Sequence, residues 1–430
     1  MIIGIIGLGY VGLTLAIAAA DCGVTVYGTE VNNHIKECLK RNRAHFYEPG
    51  LDKVIAKLNE KAFFCVDTFP EDVKFDAFVV SVGTPLLTGT HSPDFDYIRQ
   101  ALRSISNIYT GEQLVIIRST VSVGTTRRIA LPLLAELCGK PEDEVLIAMC
   151  PERTIEGKAI EEITGLPQII SGNNARSVEI ADKLFRMITT RTIVVGSLEE
   201  AELAKLYCNV YRDTIFAVGN VLCMAAQEFG VDGIKVIRAA NDGYARSSIA
   251  SPGFVAGPCL GKDAYILTNN LPECSAKDFI LSERKFNESL EDTVVEWVER
   301  NSRGRIVAIS GMAFKGKPET SDLRGSSSVR IAKELKKRGY SLRLHDFAAI
   351  SGELSALELG EVFETVEEVC AGTAALLVLN NNARYSKLMP FSAMFQSGFV
   401  ILDAWGALSH LEGKGICAFT LGNIKLRREL

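Results

Sequence analysis

Ile2-Ile3-Gly4-Ile5-Ile6-Gly7-Leu8-Gly9-Tyr10-Val11-Gly12 is the stretch that decides the fold. Its first half is a run of isoleucines without a charge, the pattern of a strand buried on both faces of a parallel sheet. Its second half is a G-x-G-x-x-G turn, and Val11–Cys22 carries on with helical spacing. Each glycine has a task at such a strand-to-helix turn. Gly7 permits the tight turn, Gly9 lets a pyrophosphate approach the backbone, and Gly12 allows helix and strand to pack closely. The phosphates then face the free N–H groups and positive end of the helix, with Tyr10 and Val11 in its first turn. A second apolar run, Val24–Tyr27, ends shortly before Glu30, where an acid meets the hydroxyls of a ribose. That acid would repel a 2′-phosphate, so NAD is expected rather than NADP. A glycine turn without a ligand is the plainer alternative, but it leaves the matching strand, helix and acid unexplained. FAD is the stronger competitor.

Outward from this turn, Ala77–Val82, Leu114–Ile117 and Val145–Met149 are further buried parallel strands, Tyr97–Ile105 is an amphipathic helix, and Thr192–Val195 closes a series of βα units. From Glu199 to Phe229 the character changes. Glu and Lys alternate with Leu, Ala, Val and Phe at helical spacing, with no Pro and a single Gly, which predicts one unusually long helix. Such a helix spans domains or forms a subunit interface. Helical patterns at Ile234–Asn241 and Asp278–Arg300 flank a Pro/Gly-rich loop, Ser251–Asp263. β/α alternation then returns, with strands at Arg305–Ser310, Ser341–His345, Ala374–Val378 and Phe399–Leu402. The expected class is α/β: two Rossmann-like doubly wound domains joined by a helical central domain with one long helix, divided as 1–198, 199–302 and 303–430. A chain of 430 residues exceeds what one core organises and is compatible with that division.

Composition removes several function classes. A net charge of -5 gives no basic excess for nucleic acid. Charged residues interrupt every apolar run, so no membrane span is expected, and Met1–Ile6 is too short for a signal peptide. The eleven cysteines are scattered, odd in number and without a CxxC pair, which argues against a disulfide framework and a structural zinc. A cytoplasmic protein that uses no metal is the expectation.

Several short strings follow the dinucleotide turn in order: Glu48-Pro49-Gly50-Leu51; Val82-Gly83-Thr84-Pro85; Ser119-Thr120-Val121 with Gly124-Thr125-Thr126; Pro151-Glu152; Lys205 with Asn209; Gly257-Pro258-Cys259 with Lys262-Asp263; and Ala313-Phe314-Lys315 with Asp322 and Arg324. Singly each could be chance. Together and in this order they resemble the UDP-glucose/GDP-mannose 6-dehydrogenase family along essentially the whole chain. The resemblance implies a four-electron oxidation of a sugar C6 alcohol to a carboxylate, using two NAD per sugar and a cysteine that holds the intermediate. Such chemistry needs a base, a place for developing oxyanion charge and a nucleophile, because a free aldehyde has no good route to a second hydride transfer.

By that resemblance Cys259 is the nucleophile, in a polar loop beside Lys262 and Asp263 that could favour a thiolate. Lys205 and Asn209, spaced i, i+4 on one face of the long helix, belong at the reacting oxygen, and Asp263 helps hold a water there. Glu152 activates the hydrolytic water, with Thr120 as an ordering hydroxyl. Gly83, Thr84, Pro85 and Thr120 join the glycine turn and Glu30 in the NAD site, and Arg324 approaches NAD from the last domain. Lys315 and Gly257 serve the sugar nucleotide, Arg153 either positions the acyl group or salt-bridges a surface acid, and Arg246 reaches the sugar from a neighbouring subunit. That last role implies a homodimer or larger assembly. Outside this context Cys259 would be a core thiol, Glu152 a helix cap, and Lys205 and the arginines surface charges.

The chain departs from the family pattern at Ala256, at Leu260-Gly261, at Ser326-Ser327-Ser328 and at Glu30, where Asp is usual. Pro151-Glu152-Arg153 with Glu156-Gly157-Lys158-Ala159, and Tyr211-Arg212-Asp213, resemble the N-acetylhexosamine branch. UDP-N-acetylmannosamine or UDP-N-acetylglucosamine is therefore the expected substrate, with UDP-glucose as runner-up. The rival readings are a two-electron β-hydroxyacid dehydrogenase, which lacks the Cys259 loop and the last α/β region, and a non-catalytic nucleotide-sugar sensor.

Overall fold

Strand β1 (Ile2–Ile6) lies between β2 (Thr25–Thr29) and β4 (Ala77–Val80), with Ile3 in register with Val26 on one side and Ala77 on the other. Four of its five residues are buried, as a strand covered on both faces requires. Around it the computed structural model, which describes residues 1–87, 90–389, 398–412 and 418–426, adds β3 (Phe63–Val66), β5 (Leu114–Ile117), β6 (Ile147–Met149), β7 (Gln168–Gly172) and β8 (Thr192–Val194). The order is β3-β2-β1-β4-β5-β6-β7-β8. All neighbours are parallel except β6 and β7, an antiparallel step that the sequence pattern did not indicate. The helix Tyr10–Asp21 is buried from Gly12 to Ala20, and its alanines let it lie against the sheet.

The long helix runs Leu198–Glu228, 31 residues, within one residue at each end of the stretch read from the sequence. Helices Gly233–Asn241, Leu260–Thr268 and Ser275–Asn301 follow. The last strands are β9 (Ile306–Ser310), β10 (Ser341–His345), β11 (Glu361–Val362), β12 (Ala375–Val378), β13 (Val400–Asp403) and β14 (Ala418–Phe419). They form a second, wholly parallel sheet in the order β11-β10-β9-β12-β13-β14.

The chain divides into two compact units, one of residues 1–208 with 265–272 and one of residues 209–264 with 273–430. Each has its own core: Ile3, Ile5, Leu13, Leu15 and Val79 in the first, and Trp297, Val307, Ile309, Leu344 and Leu377 in the second. Among the described residues no helix is long and apolar enough to cross a membrane.

Candidate active site

The dinucleotide turn has the geometry its glycines imply. Gly7 has φ +89°, and a Cβ on it would stand 2.6 Å from the Ser81 carbonyl oxygen. A Cβ on Gly12 would come within 1.9 Å of the Gly7 carbonyl oxygen, so this contact admits no side chain. Gly9 faces open space and caps the helix Tyr10–Asp21 without a side chain. It borders a pocket of about 430 Å³ whose lining includes Gly7, Glu30, Val31, Phe69, Gly83 and Tyr97. Free helix N–H groups, an open glycine and an adjoining apolar pocket fit a dinucleotide.

Glu30, the acid expected at the ribose, is tied to the protein's own backbone. Its carboxylate accepts hydrogen bonds from Leu8 N at 2.8 Å, Val31 N at 2.8 Å and Asn32 N at 2.9 Å, and so braces the turn itself. Ser119 ties the next loop to the pocket wall, accepting from Val82 N at 3.0 Å and donating to Val82 O at 2.7 Å. Thr84 Oγ1 donates to the Thr120 carbonyl at 2.6 Å, which joins two of the sequence-predicted site strings. Pro85 O accepts from Asp94 N at 2.8 Å.

Two clusters gather the proposed catalytic groups. In the first unit, Lys205 Nζ lies 3.6 Å from Glu152 Oε2, both side chains being almost fully buried. Glu152 also accepts from Thr154 N. Arg153 is turned onto the backbone, donating to the Pro167 carbonyl. In the second unit, Asn209 Nδ2 donates to Asp263 Oδ2 at 2.6 Å, and Lys262 Nζ lies 3.3 Å from Asp263 Oδ1. Cys259 is exposed and immediately precedes the helix Leu260–Thr268, where its carbonyl accepts from Lys262 N and Asp263 N at 3.0 Å each. Gly257 packs so closely that a Cβ would meet the Phe314 ring at 2.5 Å, and its N–H donates to Gly325 O at 3.0 Å. The cysteine loop is thereby seated beside the segment that carries Lys315.

Lys315, Arg324 and Arg246 each make a contact with a residue close by in sequence. Lys315 Nζ lies 5.3 Å from the centre of the Phe314 ring. Arg324 is exposed and chelates Asp322, with Nη2 at 2.6 Å from Oδ2. Arg246 is exposed, its guanidinium 4.9 Å above Tyr244.

Three charged residues hold the backbone around these clusters, and two of them, Glu202 and Arg284, lie outside the motif strings. Glu202 is buried one turn before Lys205 and accepts from Gly124 N at 2.5 Å, Thr126 N at 2.8 Å and Thr126 Oγ1 at 2.7 Å. Burial raises its pKa against those three donors. Arg284, also buried, pairs with Asp213 at 3.0 Å and donates to the carbonyls of Val255 at 3.1 Å and Leu260 at 3.2 Å, which bracket Cys259. Burial likewise raises the Asp213 pKa, with Arg284 and Asn287 opposing. The third is Glu48. A buried charge among apolar helix residues was the available sequence signal for Glu202 and Arg284, but not for their partners.

A glycine turn braced by an acid and bordering an apolar pocket has the features of a nicotinamide-dependent dehydrogenase. Residues 1–189 match the NAD binding domain of the UDP-glucose/GDP-mannose dehydrogenase family, residues 199–289 its central domain and residues 308–410 its UDP binding domain. The UDP-N-acetyl-D-mannosamine dehydrogenase of Campylobacter jejuni is 31% identical over 349 residues, 78% of this chain and 84% of that one. The NDP-N-acetyl-D-galactosaminuronic acid dehydrogenase of Ralstonia nicotianae is 30% identical over 77% of this chain and 79% of that one. The solved UDP-D-ManNAc dehydrogenase of Pyrococcus horikoshii superposes with a TM-score of 0.84 at 26% identity, covering 98% of this chain and 99% of that one. The chain belongs to the UDP-glucose/GDP-mannose dehydrogenase family and is an NAD-dependent UDP-sugar dehydrogenase.

Proposed function

We propose that this cytoplasmic enzyme oxidises the C6 alcohol of a UDP-N-acetylhexosamine, the manno or gluco epimer, to the uronate. The observation that carries the reading is Cys259, exposed at the start of a helix beside the hydrogen-bonded Asn209–Asp263 pair. The names of the relatives support an N-acetylated sugar. NAD, when bound, accepts a hydride from C6 in each of two oxidations. Lys205 and Asn209 hold the C6 oxygen, and the proton released from the alcohol passes to the polar groups around it. The Cys259 sulfur adds to the aldehyde carbon, and the resulting thiohemiacetal loses a hydride and a proton to become a thioester. The positive end of the helix favours negative charge on the sulfur. Glu152 then takes a proton from water as it attacks the thioester, with Thr120 ordering that water, and the thiol leaves as the carboxylate forms.

In this reading residues 1–198 bind NAD, 199–302 supply the nucleophile and the subunit contact, and 303–430 bind the UDP moiety, with Lys315 and Gly257 on the sugar nucleotide, Arg153 on the acyl group and Arg324 toward NAD. The enzyme works as a homodimer or larger assembly with Arg246 lent across subunits. Support comes from the long helix, which leaves Tyr211, Val218, Val221 and Leu222 exposed at 66, 46, 43 and 45%, a spacing that lines one face. The test is NADH formed per sugar consumed over a panel of UDP-sugars that includes UDP-glucose. Two per sugar with a uronate product is the expected result; one per sugar marks an ordinary two-electron dehydrogenase, and none marks a sensor.

A further inference from the structure

Glu48 is buried, yet its carboxylate touches two stretches far from it in sequence. Oε2 accepts from Tyr10 Oη at 2.5 Å and from Gly157 N at 2.7 Å, while Oε1 accepts from Ala159 N at 2.7 Å. Tyr10 is the first residue of the helix that opens at the dinucleotide turn. Gly157 and Ala159 lie just beyond Glu152. The chain between them is folded on itself: Thr154 N donates to Glu152, Ile155 N donates to Glu162 at 2.7 Å, and Lys158 N donates to Ile155 O at 3.0 Å. Displacing Gly157 therefore moves the backbone that holds the Glu152 carboxylate. The phenol of Tyr10 stays a donor, since burial and the neighbouring Glu48 both push its pKa up. Three donors onto one buried carboxylate make charge-assisted bonds, and losing one partner leaves buried groups unsatisfied.

We propose that Glu48 is a positioning residue that ties the Glu152 segment to the dinucleotide turn, so that the placement of the hydrolytic base depends on a bond made at the cofactor end. The inference rests on the reading of Glu152 as that base. A brace serving only to fold two loops would, when weakened, lower cofactor affinity and stability and slow every step alike. A positioning role slows one step, hydrolysis of the Cys259 thioester.

The experiment is a single turnover of the full chain with UDP-N-acetylmannosamine and NAD, following NADH by absorbance and the covalent sugar adduct by intact mass. Glu48→Gln keeps the shape but replaces one acceptor oxygen with a donor, so it cannot serve all three partners. The expected result is thioester decay slowed about tenfold or more with adduct accumulating, and NADH formation within about twofold of the parent. Tyr10→Phe should slow decay less, and should add little when combined with Glu48→Gln. Decay at the parental rate, or equal slowing of oxidation and hydrolysis, overturns the proposal. If Glu48→Gln does not fold, Glu48→Asp, which keeps the carboxylate but withdraws it by one methylene, decides by the same two criteria. Glu152→Gln is run alongside. Adduct with Glu152→Gln but not with Glu48→Gln overturns the positioning role alone, whereas adduct with neither overturns the assignment of Glu152 and the proposal with it.

Discussion

The two sheets repeat one plan and differ at one turn. Six strands of the first, β3-β2-β1-β4-β5-β6, and the six of the second, β11-β10-β9-β12-β13-β14, are arranged alike. Each also has an acid directly after its second strand. Glu30 accepts from Leu8, Val31 and Asn32; Asp346 accepts from Ala313 N at 2.9 Å, Ala348 N at 2.7 Å and Ala349 N at 2.8 Å. In both, the acid braces the loop that leaves the central strand. The loops diverge. After β1 the chain enters its helix at Tyr10, whereas after β9 it runs through residues 311–326 before the helix Ser327–Lys337 begins. The strand ends differ too: Ile6 is paired with Thr29, but Ser310 with His345, and Ser310 Oγ bonds His345 Nδ1 at 2.8 Å and Tyr385 Oη at 2.7 Å. Strand order thus sets where a nucleotide meets a sheet, and the first loop decides which nucleotide it is. A short glycine turn offers N–H groups to a pyrophosphate. A long loop presents side chains instead, and the role proposed for Lys315 would use one of them.

The sharpest way to break this division of labour is Cys259→Ala. Uronate formation should fall on the order of a thousandfold or more, while calorimetric titration should find NAD affinity within about twofold of the parent. Uronate formation that persisted would remove the covalent route. Next in size is a reciprocal pair. Gly12→Ala drives a methyl into the Gly7 carbonyl and should weaken NAD roughly tenfold or more with UDP affinity kept. Gly311→Ala, whose Cβ would stand 2.7 Å from Asn380 N, should do the reverse. Loss of both ligands in either variant would mean that the two halves are not independent. The smallest effect separates the strand ends. Burial holds the His345 pKa below the ordinary histidine range, outweighing Asp346 and the other acids nearby. The unfolded chain therefore binds a proton that the fold refuses. His345 imposes no loss of stability above about pH 6.5, and stability declines as pH falls through that value toward the folded pKa. The slope is at most about 1.4 kcal/mol per pH unit, and His345→Gln should flatten it in denaturant melts between about pH 7.5 and about pH 5.5. An unchanged slope would show that His345 does not set it.

Much of this was legible in the sequence, for stated reasons. The first strand, the glycine turn and the long helix depend on local pattern, and β-branched runs and helical spacing are local. Strand β3 escaped notice because only Phe63 of its four residues is buried, and β7 because Gln168 and Gly172 frame a short run. The reversed pairing of β6 with β7 depends on where the chain turns back, which no residue type announces. Motif strings supplied Cys259, Lys205 and Glu152, but the braces stayed hidden. Glu48 joins residues 10, 157 and 159, Arg284 joins 213, 255 and 260, and such meetings exist only after folding.

The three glycines of the first turn are unequal as places for change. Gly7 and Gly12 are locked by backbone strain and by contact, so altering them disturbs the fold along with the ligand. Gly9 has nothing within 4 Å of where its Cβ would be. A methyl there meets no protein atom and enters the space that a pyrophosphate is expected to use. Position 9 is therefore a dial for cofactor affinity separate from stability, one that an engineer could turn in steps from Ala to Val. Its far setting would yield a folded protein that still captures UDP-sugars and has no chemistry to perform on them.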